Sequence, residues 1–222
     1  TAIGTSALAS EDTQGRNVAV GKEALTTLNA GSDAYNVAVG FEAGSAITTG
    51  VNNTLIGGSA GDSLTSGSYN IAIGKNALQG EDAHGRNVAI GHAALEDQNA
   101  GADAYNIAIG YQAGKDVSTG GQNTLVGGLA GDALTEGGNN VALGYNSLSA
   151  TTVGTDNIAI GKDALETNVN GSASIAIGSL ALEDQAPSGT GNMYNIGIGH
   201  WAGKEVTTGI NNVLIGGLAG DG

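Results

Sequence analysis

One short string dominates the chain and limits what it can fold into. Asn-[Val/Ile]-Ala-[Val/Ile]-Gly starts at Asn17, Asn36, Asn70, Asn87, Asn106 and Asn157, with close variants from Asn53, Asn123, Asn140, Ser174, Asn195 and Asn212. Successive starts lie 19, 17, 17, 17, 19, 17, 17, 17, 17, 21 and 17 residues apart, and a thirteenth copy opens the chain at its second position, Thr1. A longer period overlies this one: four units over residues 17–86 recur in type over 87–156. Repeats of this length are single supersecondary units that cannot bury an apolar face alone, so they must stack.

Numbering the Asn as position 1, position 5 is Gly in all thirteen units and position 4 is always Ile, Val or Leu. Position 2 is Val, Ile or Thr, so two branched residues flank one small one, the period-two pattern of a strand. Position 8 is Ala except for Ser147, and position 9 is either Leu (Leu25, Leu78, Leu95) or Gly (Gly44, Gly61, Gly114). Where position 9 is Gly, an aliphatic residue follows three places on: Ile47, Leu64, Val117, Leu134 and Val206. Such an exchange keeps the volume supplied to a packed layer constant. Thr/Ser-Gly corners at Gly50, Gly67, Gly120 and Gly209 complete the turn chemistry.

These columns predict an all-β fold: a parallel β-solenoid or β-roll of about thirteen rungs, one ~17-residue repeat per rung, as a single repeat domain over residues 1–222. At ~4.8 Å per rung the stack would run to about 60 Å. The invariant Gly reads as a corner with positive φ or a close backbone approach, and position-1 Asn as a ladder between rungs. The longer units place their extra residues in a turn, where solenoids accept insertions. The 40 glycines are then architectural, and the apolar fraction of 40% is that of a folded chain.

The branched residues are expected to face inward, which leaves the residue between them outside. That residue is Ala19, Ala38, Leu55, Ala72, Ala89, Ala108, Leu125, Ala142, Ala159, Ala176 or Leu214. A solvated wall alternates apolar with polar, whereas this strand is apolar on both faces. The Ala/Leu stripe is therefore the expected interface of a homo-oligomer, an intertwined homotrimer of parallel chains, with a monomeric roll as the alternative.

Composition narrows the function. A formal net charge of -14 argues against nucleic acid and anionic membrane as partners. The absence of cysteine excludes disulfides and thiolate metal sites. No apolar run approaches the ~18 residues of a membrane-crossing helix. Gly57-Gly58-Ser59-Ala60-Gly61 matches the Gly-x-Ser-x-Gly elbow of hydrolases, but Leu129 and Leu218 replace Ser59 in equivalent units. The Gly-Lys pairs at Lys22, Lys75 and Lys162 lack the remainder of a phosphate loop. No catalytic residue and no cofactor is expected. His84, His92 and His200 share no spacing and read as solvated turn residues. Carboxylates cluster at Glu11-Asp12, Glu81-Asp82, Glu96-Asp97 and Glu183-Asp184, with Asp62, Asp132 and Asp221 as a second set. Solvated acidic turns are the main reading of these groups. Asp62, Asp132 and Asp221 are the candidates for Ca²⁺ should stacking gather them. Tyr35, Tyr69, Tyr105 and Tyr194 form one aromatic column, and Phe41, Tyr111, Tyr145 and Trp201 a second, the candidate contact to a host receptor.

The repeat string, seen in Asn106-Ile-Ala-Ile-Gly-Tyr-Gln-Ala-Gly and Asn140-Val-Ala-Leu-Gly-Tyr-Asn-Ser-Leu, resembles the head repeats of trimeric autotransporter adhesins. It is more similar still to repeats of phage tail fibres. The adhesin repeat is shorter, near fourteen residues, which implies larger corners in this chain. The resemblance implies a trimeric fibrous segment of a longer chain on a virion or cell surface, with a host glycan or protein as partner and no catalytic residues to carry over. The function expected is a virion fibre shaft with a role in attachment, a bacterial adhesin or filament subunit being the alternative. An ice-binding solenoid is a third class, for which only Thr48-Thr49 and Thr207-Thr208 offer threonine pairs.

Overall fold

A computed structural model describes residues 1–11 and 15–220. The fold is the expected all-β parallel solenoid, and no helix occurs among the described residues. The chain comprises two compact units, Thr1–Asn106 and Ile107–Gly222. In the first, β1 (Ala2–Ile3), β2 (Val18–Val20), β3 (Val37–Val39), β4 (Thr54–Ile56), β5 (Ile71–Ile73) and β6 (Val88–Ile90) pair in chain order, all parallel. In the second, the same applies to β7 (Ile107–Ile109), β8 (Thr124–Val126), β9 (Val141–Leu143), β10 (Ile158–Ile160), β12 (Ile175–Ile177), β14 (Ile196–Ile198) and β15 (Val213–Ile215). Two short strands, β11 (Gly171–Ser172) and β13 (Gly191–Asn192), form a separate parallel pair beside the longest insertion.

Register follows the repeat residue for residue, with Val37 against Thr54, Ala38 against Leu55 and Val39 against Ile56. Strands of three residues give few ladder bonds, so corners must be tied between rungs as well. Gly61 N–H donates to the Ala77 carbonyl at 3.0 Å, and Ser59 N–H to the Phe41 carbonyl at 2.9 Å. The buried Asn column supplies a third tie. Asn53 Oδ1 accepts the Asn70 N–H at 2.9 Å, while Asn53 Nδ2 donates to the Gly67 carbonyl at 2.9 Å. The same two bonds recur at Asn36 and at Asn140. At these three positions the Asn clamps its own closing turn and docks the next rung.

The invariant Gly meets both of its expected requirements. Gly57 has φ +141, and a Cβ there would lie 2.3 Å from the Gly74 carbonyl oxygen of the next rung. Position 9 confirms the exchange of volume. A Cβ on Gly61 would lie 2.8 Å from Leu64 Cδ1 and 2.9 Å from Leu55 Cδ2, so the aliphatic residue three places on already fills that space. Insertions project outward: a Cβ at Gly31, Gly101 or Gly189 would meet nothing within 4 Å.

The faces of the strand are the reverse of the expectation. Ala19, Ala38, Leu55, Ala72, Ala89, Ala108, Leu125, Ala142, Ala159 and Ala176 are all 0% exposed, and Leu214 in the final strand is half-buried. The flanking branched residues point outward, as at Ile56, Ile71, Ile107 and Ile109. The reason is space. Each rung already sends an Ala at position 8 and a Leu, Ile or Val from the corner into a narrow interior, leaving room for one small strand side chain. At Gly197 in that inner column, a Cβ would lie 2.8 Å from Leu182 Cγ.

Candidate functional site

The outward face of each sheet carries two columns of branched apolar side chains. In the first unit the strand residues Val18, Ile56 and Ile71 are exposed, and Val37, Val39, Ile73, Val88 and Ile90 are half-buried by one another. Ile71 retains 38% exposure and Ile107, in the second unit, 39%, high values for isoleucine in a sheet. The residues expected at an interface are thus the core, and their neighbours form the apolar surface. Threonine enters these columns at the chain start and at Thr54 and Thr124, so neither column is a threonine row.

Aromatic residues mark two edges. Tyr35, Tyr69, Tyr105 and Tyr194 occupy the turn position before the Asn with φ between 52 and 62, and all are exposed. Arg86 lies between two of them, its guanidinium 5.4 Å from the Tyr69 ring and 5.7 Å from Tyr105, while Nε donates to Asp103 at 2.7 Å. The backbone N–H of Gly85 and the Arg86 guanidinium both hold the Asp103 carboxyl below its ordinary range. In the second column Phe41, Tyr111 and Tyr145 are exposed, with Lys22 Nζ 5.2 Å from the Phe41 ring. Trp201 is half-buried between His200 and Lys204, so it adds little free aromatic surface.

Ser59 has φ 55, a value shared by Glu23, Glu42, Asn76 and Ala93 at the same repeat position. Its backbone is a property of the corner, and a turn follows it where a hydrolase elbow has a helix.

The carboxylates separate into three cases. Asp62 and Asp132 belong to different units, each half-buried, and burial pushes both carboxyls above their ordinary range. Asp62 accepts from Gln79 Nε2 at 3.3 Å, whereas Asp132 Oδ1 is buried without a partner. Asp221, the third calcium candidate, lies outside the described residues. Glu81 is the third case and was expected in a solvated turn. It is 0% exposed, because it stands at position 12, where Leu28, Ile47 and Leu64 fill the interior of other rungs. His84, likewise expected in solvent, is half-buried beside it. Position 12 is buried but mixed: Gln98, Thr151, Asn168 and Gln185 occupy it at 0% exposure alongside the aliphatic residues, and Glu81 is an acidic member of that column.

Glu81, Asp82 and His84 are also the group of three potential metal ligands found among the described residues. Neither Asp62 nor Asp132 belongs to such a group. Beside the long insertion an open depression is lined by Pro187, Thr190, Met193, Thr208 and Ile210. Comparison with protein-family models, curated proteins and solved structures finds no match to this chain. Its class therefore rests on its own geometry, that of a parallel β-solenoid.

Proposed function

We propose that the chain is a structural, non-catalytic segment of a surface fibre, assembled from parallel copies of itself as a homotrimer. The observation that carries this reading is the continuous outward Val/Ile face. A sheet face of that composition, repeated in every rung of a chain with net charge -14, combines an apolar seam with acidic flanks.

Magnitudes favour the reading. An isoleucine left 38% exposed, as Ile71 is, forgoes on the order of 0.5–1 kcal/mol of burial. Two columns over the six or seven strands of a unit, many of their residues less exposed than Ile71, then offer on the order of 5–10 kcal/mol per unit, comparable with the ~4–15 kcal/mol cost of association. A single rung would not suffice; a repeated stripe does.

The likeness of the repeat to phage tail fibres points to a virion appendage, with Phe41, Tyr111 and Tyr145 available to a host-surface glycan or protein. The likeness to adhesin heads supports a bacterial surface protein as the second reading. Sedimentation equilibrium and native mass spectrometry test the assembly. The chain should sediment as three protomers, and Ile71→Lys with Ile107→Lys should shift it to the monomer with its strand content intact. A wild-type monomer across the micromolar range overturns the proposal.

A further inference from the structure

The two related segments at residues 10–17 and 80–87 differ in one informative place. They read Ser-Glu-Asp-Thr-Gln-Gly-Arg-Asn and Gly-Glu-Asp-Ala-His-Gly-Arg-Asn, so Gln14 in the first corresponds to His84 in the second. In the first, the Glu11 carboxylate accepts a hydrogen bond from Asn17 Nδ2. In the second that bond is absent: Glu81 Oε2, His84 Nδ1 and Asn87 Nδ2 are all buried without partners. Glu81 Oε1 accepts only the His84 N–H at 3.1 Å among the bonds of its own turn.

A carboxylate oxygen buried with no partner costs several kcal/mol if it stays ionised. Protonation or a bound cation relieves that cost, and the surrounding groups supply further ligands for a cation. One ligand atom from each of Glu81, Asp82 and His84 lies within 4.8 Å of the others. His84 Nδ1 is 3.7 Å from Glu81 Oε1, too far for a hydrogen bond. It is, however, a natural separation for two ligands that each stand ~2.0–2.2 Å from one shared ion. Asp82 is exposed and His84 half-buried, so the group opens to solvent on one side while Glu81 closes the other.

We propose that Glu81, Asp82 and His84 form a binding site for one divalent transition-metal ion of the zinc type. Two carboxylates and a neutral imidazole match the +2 charge and leave a fourth position for water. The imidazole selects zinc-type ions, because Ca²⁺ requires six to eight oxygen ligands that this turn does not supply. Binding would hold the corner over residues 80–87 to the interior, the part that the Asn17–Glu11 bond plays in the first segment.

Isothermal titration of the tag-free chain with Zn²⁺, alongside His84→Gln and Glu81→Gln, tests the site. Wild type should bind one Zn²⁺ per chain, with a thermal midpoint that rises with Zn²⁺ concentration. His84→Gln, which restores the residue of the first segment, should weaken binding about tenfold or more. Glu81→Gln should do the same while keeping the wild-type circular dichroism spectrum. Three results each overturn the proposal: no saturable Zn²⁺ binding by the wild type, equal affinity in wild type and His84→Gln, or saturation by Ca²⁺ in place of Zn²⁺.

Discussion

The buried Asn column can be tested at one rung. Asn53→Leu keeps the number and branching of side-chain heavy atoms, so it creates no cavity, but it removes both polar ends of a 0% exposed side chain. The Asn70 N–H loses its acceptor at 2.9 Å and the Gly67 carbonyl loses its donor at 2.9 Å. Each orphaned buried group costs about 1–3 kcal/mol. The added apolar burial returns up to about 2 kcal/mol. The net loss should be about 2–4 kcal/mol, large beside the usual ~1 kcal/mol effect of a substitution. Global denaturation of a repeat protein averages over many rungs, so the decisive assay is amide hydrogen exchange at fixed protomer concentration. The Asn70 amide should exchange about 30- to 1000-fold faster in the variant, at 1.4 kcal/mol per decade. The exposed Asn192→Leu is the control and should change global stability by less than ~0.5 kcal/mol. Unchanged protection at Asn70, or a loss below ~1 kcal/mol, would refute the claim that the column carries each rung's closure.

Three further outcomes follow from the same geometry. Gly57→Ala places a Cβ 2.3 Å from the Gly74 oxygen at φ +141 and should cost about 3 kcal/mol or more by denaturant titration, whereas Gly101→Ala, with open space around it, should be neutral or stabilise by about 0.4–1 kcal/mol. Leu64→Ala should cost about 2–5 kcal/mol, and in a Leu55→Ala background, which clears the Cδ2 lying 2.9 Å from a Cβ at Gly61, adding Gly61→Leu should recover part of it, a coupling of about 1–3 kcal/mol in a double-mutant cycle; strict additivity would reject the exchange of volume between positions 9 and 12. Burial raises the Asp132 carboxyl above its ordinary 3.8 in the folded chain, with Asp116 adding to the rise and Lys115 opposing it. The unfolded chain therefore ionises first. Stability should be greatest below the ordinary value and fall as pH rises through the folded one. Asp132→Asn should flatten that part of the profile in paired denaturation curves, and an unchanged slope would remove Asp132 as its source.

Much of the architecture could be read from the columns because each reports a local constraint. An invariant Gly with no exception across thirteen units has few physical causes, and Gly57 shows two of them together. The exchange between Gly61 and Leu64 was visible because volume must balance within a single turn. The choice of inner face was not visible in the period, since alternation by two is symmetric and a shift of one residue inverts it. A better signal lay in covariation inside the chain. Leu occupies position 3 only at Leu55, Leu125 and Leu214, and each of those units has Gly at position 9: Gly61, Gly131 and Gly220. A side chain that grows when a core corner shrinks belongs to the core. The branched columns show no such compensation, which is how surface positions behave. The burial of Glu81 is hidden for a related reason: its Glu-Asp setting reads as solvated, and position 12 mixes Ile47 and Leu64 with Gln98, Thr151, Asn168 and Gln185.

The inversion of faces changes the kind of assembly open to the chain. Had the Ala/Leu column been the seam, each protomer would have lacked part of its interior and the copies would have had to interwind to complete one another. Instead Ala38, Leu55, Ala72 and the corner residues Leu25, Ile47 and Leu64 are fully enclosed within one chain. The packing of the inner column and the bond between Asn53 and Asn70 are therefore complete within one chain. In the proposed assembly, contacts through the outer Val/Ile columns would join protomers that are already folded, so substitutions such as Ile71→Lys should alter association while leaving the rung intact. Substitutions in the inner column do the opposite. Their cost appears in the single chain, and assembly cannot repair it.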